Sequence, residues 1–488
     1  MHSGCRVGIG LWVLTVLLAC PIALAAASRC EGTAAPGLHA PTPADPYPLN
    51  AAGWGPELSN GRMASRWVED WTGMRAAGEA LPFKAMSLGD ETSLTLSAEA
   101  RVRYDAFDNA QLSSGNDYQQ GLLRGVLGAD LRFNPHLRLY GEIGTGQVAG
   151  RRDRATANFQ NDASLQQLFV DARGYVGTSL VGAMLGRQEF ADGPRQLISL
   201  SDGPNLHRSW NGVRLYAHGR QLRLGAYELR ATGLEPDIFD ERIESGERLR
   251  GLNASLGVSS GHGPNSYLEP FWIHSEKPGF RSGGQLGLDE RDTLGMRLWG
   301  RQGALKFDWT LAQQRGRYGD RDIDAWGLFS VHSLALSDRG WQPRLTAHVD
   351  LASGGAYGSG THRGFNPLYA SSNYLGEGGF LSLSNLLMVA PGLALSPTSS
   401  TQLAVEYGFA RRLDEDDAVY AGGMRAYAGT QAVQGRGVGG LGRVAATWTA
   451  SPNLTVLLNV EHLDAGEVLR RAGLPSAAYA AIGATYRY

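Results

Sequence analysis

The sequence predicts an all-β fold, a transmembrane antiparallel up-and-down β-barrel of about 18 strands with a short periplasmic N-terminal segment. Three observations lead to this prediction. The chain begins with an export signal, apolar and polar residues alternate with period 2 from residue 93 onward, and the last strand ends on an aromatic residue. After the signal, no segment approaches the roughly 18 consecutive apolar residues that a membrane-spanning helix needs, which excludes a helical membrane protein.

Residues 1–25 have the pattern of a cleavable signal peptide. Arg6 supplies the basic start, 7–19 form a short apolar run, and Ala23-Leu24-Ala25 gives the small-x-small pattern that signal peptidase requires. A lipid-modified Cys20 is the alternative, although its neighbours fit that modification poorly. Cleavage leaves one cysteine, so the mature chain must fold without an internal disulfide.

Residues 26–92 are expected to form a periplasmic leader. Its first part, 31–63, is rich in Pro, Gly and Ala without any period, whereas 64–77 has apolar spacing compatible with one short helix. The predicted barrel then occupies 93–488.

The first predicted strand shows the alternation most clearly. One face carries Leu94, Leu96, Ala98, Ala100, Val102 and Tyr104, and the residues between them are polar or charged. Because successive side chains of a strand point to opposite faces, this is an apolar-out, polar-in membrane crossing. Similar segments predict strands at 93–107, 122–133, 137–148, 164–175, 180–190, 209–217, 221–231, 248–259, 265–276, 291–301, 304–315, 322–334, 342–353, 381–390, 401–413, 438–450, 453–463 and 476–488.

The connections between these strands tend to alternate in length. The odd-numbered ones are expected to be long, outer loops, at 108–121, 149–163, 188–208, 232–247, 277–290, 354–380 and 414–437. The alternation blurs where 316–321 is compared with 335–341. In hydrocarbon an open sheet edge would leave backbone groups unpaired, so the sheet must close, and a soluble sandwich or propeller is the less economical alternative.

The charged residues indicate a polar lumen more than a nucleic-acid surface. The net charge is −2, and of 45 basic residues only Lys84, Lys277 and Lys306 are lysines. Arginine binds carboxylates and phosphates through a planar fork, although a GC-rich genome would also enrich it. Strand parity directs one set of charged residues inward, namely Glu99, Arg101, Arg103, Asp105, Arg124, Arg132, Arg138 and Arg214. They form either an anion path or paired Arg–carboxylate ladders that stiffen the wall.

The motifs associated with enzymes occur in the wrong context. A G-x-G-x-x-G match at 435–440 precedes a strand instead of a helix, and a G-x-S-x-G match at 257–261 ends one strand before another. No catalytic signature or histidine metal spacing stands out, so we expect neither an enzyme nor a cofactor.

Two acidic loops are candidate calcium sites. Asp320, Asp322 and Asp324 have the spacing of a calcium loop but lack its glycine and its final glutamate. A denser cluster, with Asp414, Asp416 and Asp417, lies on a predicted outer loop, where divalent ions bridge lipopolysaccharide. A solvated acidic loop is the alternative in both cases.

Several stretches together resemble the alginate-export family of outer-membrane barrels. They are Arg66-Trp67-Val68-Glu69-Asp70-Trp71, Leu81-Pro82-Phe83-Lys84, 98–104, Gly186-Arg187-Gln188-Glu189-Phe190, 195–197, 204–214, 365–369 and 383–386. The resemblance implies a monomeric 18-stranded barrel that passes an acidic polysaccharide through an Arg-rich pore. It also implies that Arg187, Arg195 and Arg208 lie at the constriction, although Arg187 shares its strand face with apolar residues. Inward carboxylates depart from a strongly basic pore, which leaves the substrate open.

Three functions follow as hypotheses. The first is an anion-preferring channel for an alginate-like acidic polysaccharide or its oligosaccharides. The second is a nutrient porin for small organic acids or aromatics, and the third is a non-transport barrel that acts as an adhesin or surface enzyme. The expected partners are outer-membrane lipids, lipopolysaccharide, the barrel-assembly machinery and the anionic solute.

Overall fold

A computed structural model of the chain describes residues 65–72, 81–151, 155–191, 197–219, 221–259, 264–358, 360–370 and 374–488. The predicted signal peptide, all three cysteines and most of the leader therefore lie outside the described residues. In this part of the chain no helix is both long enough and apolar enough to cross a bilayer.

Eighteen antiparallel strands form one closed barrel, which confirms the predicted fold class. In chain order β1 to β18 are Ser93–Asp108, Tyr118–Asn134, Leu137–Ala149, Asn161–Val176, Ser179–Glu189, Ser209–His218, Leu222–Gly233, Arg242–Ser259, Pro264–Ser282, Gln285–Gln302, Leu305–Tyr318, Arg321–Ala335, Arg344–Ala352, Leu386–Thr398, Thr401–Arg411, Gly437–Ser451, Leu454–Ala465 and Ala477–Arg487. Each strand pairs with its sequence neighbours, and β1 pairs with β18 to close the sheet.

The short elements lie outside the strand order of the barrel. A two-residue strand, Met86–Ser87, pairs with β1, and Tyr420–Ala421 pairs with Arg425–Ala426. A short α-helix, α1, spans Glu467–Arg471. Three-residue 3₁₀ turns occupy Arg66–Val68, Ala110–Leu112, Gly422–Met424 and Thr430–Ala432. The helix expected at 64–77 thus begins as a single 3₁₀ turn, and 73–77 lie outside the described residues.

Alternation of apolar and polar side chains gives the wall two different faces. On β1, Val102 and Tyr104 are 60% and 44% exposed, whereas Arg101 and Arg103, on the other face, are 4% and 7% exposed. The exposed apolar face continues around the barrel and includes aromatic residues such as Trp448. This is the arrangement of a barrel that presents apolar residues to lipid and polar residues to its lumen.

The two ends of the barrel differ in the length of their connections. One end has short turns such as 135–136, 177–178 and 452–453, and the other has the long loops 353–385 and 412–436. We call these the short-turn end and the long-loop end. In outer-membrane barrels short turns face the periplasm and long loops face outside.

One of the predicted connections is wrong. The loop expected at 277–290 is instead a tight turn at Gly283-Gly284, because β9 and β10 continue pairing beyond the apolar band. Both glycines have positive φ, 55° and 76°, as this kind of hairpin turn requires. The alternation of connection lengths breaks down where the sequence indicated that it blurs, because the chain reverses tightly at 319–320 and the connection 336–343 at the short-turn end is longer.

Inside the long-loop end, side chains from the loops and the wall form a continuous apolar core. Its fully buried members include Phe365, Leu197, Trp210, Leu469 and Phe380, which come from loops, strands and α1. The loops therefore fold into the barrel rather than away from it. The polar side chains that could bind a solute therefore lie in the part of the lumen outside this apolar core.

Candidate functional site

The lumen is lined by the side chains that strand parity directs inward. Glu99, Arg101, Arg103 and Asp105 on β1 are 1–7% exposed, and Arg124 on β2 is 2% exposed. Register pairs Arg101 with Arg124 across the two strands, so both guanidinium groups point to the same side of the sheet. The structure therefore places these predicted residues together on one inner wall.

Residues 65–72, which we call the lumenal segment, lie against this wall from inside. Arg66 Nη1 donates to Glu99 Oε2 at 2.7 Å, and Arg66 Nε donates to Glu142 Oε2 at 2.9 Å. Ser65 Oγ donates to Glu189 Oε2 at 2.6 Å, and the Arg66 side chain is only 3% exposed. The segment thus occupies part of the lumen, where sequence reasoning expected only a leader.

The lower part of the lumenal segment is fixed near the short-turn end. Arg132 Nη1 donates to Asp70 Oδ2 at 2.7 Å, and the same arginine contacts Asp130 at 3.1 Å. Arg138 Nε donates to Asp130 Oδ1 at 2.6 Å. Trp67 packs edge-on against Phe169 with 6.0 Å between ring centroids. Arg132 and Arg138 are therefore members of a paired ladder, one of the two arrangements that the sequence left open.

Loop 190–208 enters the lumen from the long-loop end and contacts the same wall higher up. Arg124 Nη1 lies 2.7 Å from Asp202 Oδ1, and Arg124 Nη2 lies 2.5 Å from Glu99 Oε1. Arg101 Nη1 donates to the Asp202 carbonyl at 2.7 Å, and Arg101 Nη2 donates to the Pro204 carbonyl. One loop carboxylate and its backbone thus bind both wall arginines.

His207 connects this loop to β5. Its Nδ1 lies 2.5 Å from Glu189 Oε1, and its Nε2 lies 2.7 Å from Asp202 Oδ1. Burial alone would lower the pKa of His207, but the charge of Glu189 and the hydrogen bonds to Asp202 and Glu189 outweigh it and raise this pKa to about 9. The imidazole is therefore a cation at neutral pH. Arg124 and the protonated His207 in turn hold the pKa of the Asp202 carboxyl well below its usual range, against the effect of burial.

Loop 353–385 meets loop 190–208 inside the barrel. Arg208 Nη1 donates to the Tyr369 carbonyl at 3.1 Å, and its guanidinium carbon lies 4.9 Å from the centroid of the Tyr369 ring. The Ser199 amide donates to the same carbonyl at 2.9 Å. Tyr369 packs edge-on against Trp210 at 4.8 Å. The two loops form one unit across the lumen.

The same loop is also tied to the wall at β17 and β1. The amides of Glu377 and Gly378 donate to the Glu461 carboxylate at 2.7 and 3.0 Å. Arg103 contacts Asp105 at 2.8 Å and Glu377 at 3.8 Å. Arg103 is therefore paired with carboxylates from both the wall and the loop.

Positive charge exceeds negative charge where the lumenal segment and loop 190–208 meet the wall. In the described part of the chain the cations in or beside this contact include Arg66, Arg101, Arg124, His207, Arg208 and Arg487. The carboxylates that contact them within 4 Å are Glu99, Glu142, Glu189 and Asp202. We call these residues the constriction cluster.

Arg187 lies on the other side of the wall, contrary to the position that the resemblance implied. Register places it opposite Leu168, and it shares its strand face with Leu185, which is 64% exposed. Its Nε donates to Asn211 Oδ1 at 2.9 Å, and Nη1 lies 2.7 Å from Glu241 Oε1. Arg187 thus points outward, as its strand parity indicated. Arg195 lies outside the described residues.

Arg214 on β6 lies on the inner face of the wall, as its strand parity predicted. Arg214 points inward, where its guanidinium stacks 4.9 Å from the Phe190 ring and Nη1 donates to Gln188 Oε1 at 3.3 Å.

The calcium candidates on loop 412–436 do not converge on one point. Asp417 is buried and accepts hydrogen bonds from the Gly355 and Ala418 amides and from the Tyr420 hydroxyl. Asp414 Oδ1 accepts from the Asp416 amide at 2.9 Å. Among the described residues no group of three or more His, Cys, Asp or Glu side chains is arranged to hold a metal ion. These carboxylates shape the loop instead.

Comparison with known proteins supports this architecture. Residues 92–482 match the alginate export family. No curated protein matches the sequence. Solved porins of Pseudomonas aeruginosa share the fold. OccK5 (OpdH) has a TM-score of 0.54 at 11% identity, with 81% of this chain and 97% of that chain covered.

Two further porins from the same organism were solved with ligands. OccK2 (OpdF) in complex with glucuronate has a TM-score of 0.52 at 14% identity and covers 81% of this chain and 96% of its own. OpdK with vanillate has a TM-score of 0.53 at 12% identity, with 80% and 98% covered. At these identities the likeness shows the fold. Together with the match over residues 92–482, it establishes that the chain is an integral outer-membrane β-barrel and belongs to the alginate export family.

Proposed function

We propose that the protein is a non-enzymatic, passive channel that carries an acidic polysaccharide or its oligosaccharides across the outer membrane. The excess of cations in the constriction cluster carries this proposal, because arginines that line a barrel lumen favour the passage of anions. Membership of the alginate export family points to the same class of substrate.

Arg101 is the most informative member of the cluster. Its closest carboxylate, Asp202, lies 3.4 Å away and is shared with Arg124, whose own contact is 2.7 Å. The remaining hydrogen bonds of Arg101 go to backbone carbonyls, which are neutral. The charge of Arg101 is therefore the least compensated on this wall.

Planar-bilayer reversal potentials in a salt gradient test the proposal. The wild-type channel should prefer chloride over potassium, and Arg101→Gln should weaken this preference, because the variant removes the least compensated positive charge from this wall of the lumen. Arg315→Gln is the matched control, since Arg315 points outward on β11 with a 62% exposed side chain. Cation preference in the wild-type channel would refute the proposal.

A nutrient porin for small organic acids or aromatics is the second candidate function, and it is favoured because protein segments occupy much of the lumen. The lumenal segment and the two inserted loops cross the route that a polymer would follow, whereas small organic acids or aromatics need less space. The relatives described with glucuronate and vanillate fit this alternative. Liposome-swelling rates distinguish the two, since a nutrient porin admits monomeric anions rapidly and excludes oligouronates.

A further inference from the structure

Two aromatic side chains stack inside the barrel near the short-turn end. Tyr267 on β9 and Trp299 on β10 are directly opposite in the register, with ring centroids 4.4 Å apart and planes at 26°. Both are half-buried. Aromatic rings in a membrane barrel are expected on the outside, at the membrane interfaces, so an inward pair needs another explanation.

The register of the two strands fixes the direction in which this pair points. Tyr267 shares its face with Glu269 and Phe271, which are 8% and 9% exposed. The alternate face of β10 carries Leu294 and Met296, which are 59% and 48% exposed and belong to the outer apolar band. The stacked rings therefore face the lumen.

A charged frame holds the pair in place. Arg297 donates to Asp308 through Nε at 2.8 Å and Nη2 at 2.6 Å, and its Nη1 donates to Glu269 at 3.1 Å. The guanidinium carbon lies 5.0 Å from the Trp299 ring centroid. The carboxylate oxygens beside the rings are thus fixed, and they are hydrogen-bond acceptors for a ligand that lies on the stack.

Two exposed cations lie on the same lumen-facing sides of β10 and β11, nearer the opening of the barrel at the short-turn end, which we call the short-turn mouth. Arg301 lies two residues beyond Trp299, and it is directly opposite Lys306, which lies two residues before Asp308. Among the described residues neither has a carboxylate within 4 Å, and Arg301 Nε donates only to the Gly303 carbonyl at 2.9 Å. These cations differ from Arg66 and Arg124 of the constriction cluster, each of which contacts two carboxylates.

We propose that Tyr267, Trp299, Arg301 and Lys306 form a subsite for a uronate residue at the short-turn mouth. The apolar face of the pyranose ring would lie on the aromatic stack, its hydroxyls would donate to Asp308 and Glu269, and its carboxylate would bind the cations. Benzoate has no hydroxyl and vanillate has one, whereas a uronate residue offers several to these acceptors, so the site favours a sugar acid. This inference rests on the proposed function and names where an exported chain first binds.

Current block in planar bilayers tests the subsite. An oligouronate, a neutral malto-oligosaccharide of equal length and benzoate are added to each side in turn. The oligouronate should block from the short-turn side, and Trp299→Leu should raise its half-blocking concentration by about tenfold, as the loss of one aromatic contact implies. Trp448→Leu is the matched control, because Trp448 points outward and is 52% exposed.

A second variant guards against a folding defect in Trp299→Leu. Arg301→Gln with Lys306→Gln changes only exposed side chains, and it should weaken block by the oligouronate without affecting the neutral sugar. Block that is unchanged in both variants, or benzoate block as strong as oligouronate block, overturns the subsite. The proposed function would survive that result if the reversal potential still showed anion preference, so the two failures are distinguishable.

Discussion

Replacing Arg66 by Gln should release the lumenal segment from the wall. A charge-assisted hydrogen bond contributes about 1.5–3 kcal/mol, so the two bonds of Arg66 amount to roughly 3–6 kcal/mol. Both acceptors keep other partners, because Glu99 still contacts Arg124 at 2.5 Å and Glu142 still accepts from Tyr140 at 2.8 Å. The carboxylates are therefore not left unpaired, and we take the lower value, about 3 kcal/mol.

A change of about 3 kcal/mol multiplies the undocked fraction of the segment by roughly a hundredfold. Single-channel recordings should then show a higher conductance level or more frequent openings than the wild-type protein. Hydrogen–deuterium exchange of peptides that contain residues 65–72 should accelerate in parallel. Arg173→Gln is the matched control, because it removes a positive charge near the short-turn end from a residue that donates to Pro135. If Arg66→Gln leaves both the conductance distribution and the exchange of 65–72 unchanged, the segment does not restrict the lumen.

Two other predictions concern the loop network and the direction of the wall. The folded pKa of His207 is raised to about 9 from the ordinary 6.5, so its stabilisation of loop 190–208 is fully present below pH 6.5 and is lost as the pH rises through 9. Gating events of the wild-type channel should therefore become more frequent as the pH rises through that window, whereas gating of His207→Gln should not depend on pH. Equal pH responses of the two channels would contradict this role of His207. Val405→Arg should destabilise the barrel by about 2–4 kcal/mol in vesicle-folding titrations, since Val405 points to lipid. The neighbouring residue Ala404 points to the lumen, so Ala404→Arg should destabilise the barrel much less. Equal destabilisation by the two variants would contradict this assignment of the two faces.

The barrel wall was predictable because it depends on local alternation. Every predicted strand overlaps one observed strand, since an apolar-out, polar-in segment must cross the membrane as a strand. The prediction weakened where the outward face becomes polar. His274, Glu276 and Asp292 point outward beyond the apolar band, so the sequence resembles a loop there while the strands continue to pair. The fourteenth strand was placed too early for a related reason, because apolar residues at 381–385 belong to the loop core instead.

The contents of the lumen could not be read from the same signal. Arg66 meets Glu142 and Asp202 meets Arg101 across long stretches of chain, and alternation within one strand says nothing about such contacts. One signal in the sequence pointed to the lumenal segment. Glu69 and Asp70 lie between Trp67 and Trp71, and a leader exposed to water has no use for large aromatic residues beside its charges. Strand parity was the better guide for Arg187, where it disagreed with the position implied by the resemblance.

Closure of the barrel sets the order in which the chain assembles. β1 and β18 join residues as far apart as Glu99 and Arg487, and the amides of Ala98 and Tyr488 exchange hydrogen bonds with each other's carbonyls. A contact between such distant residues carries the largest loop-closure entropy in the sheet and forms late in folding. The lumenal segment, which binds Glu99 from inside, must therefore be in place before this seam closes or pass through an end of the finished barrel. Folding of the wall and filling of its interior are for that reason kinetically coupled, and a slowly docking segment would delay the final hydrogen-bonded seam.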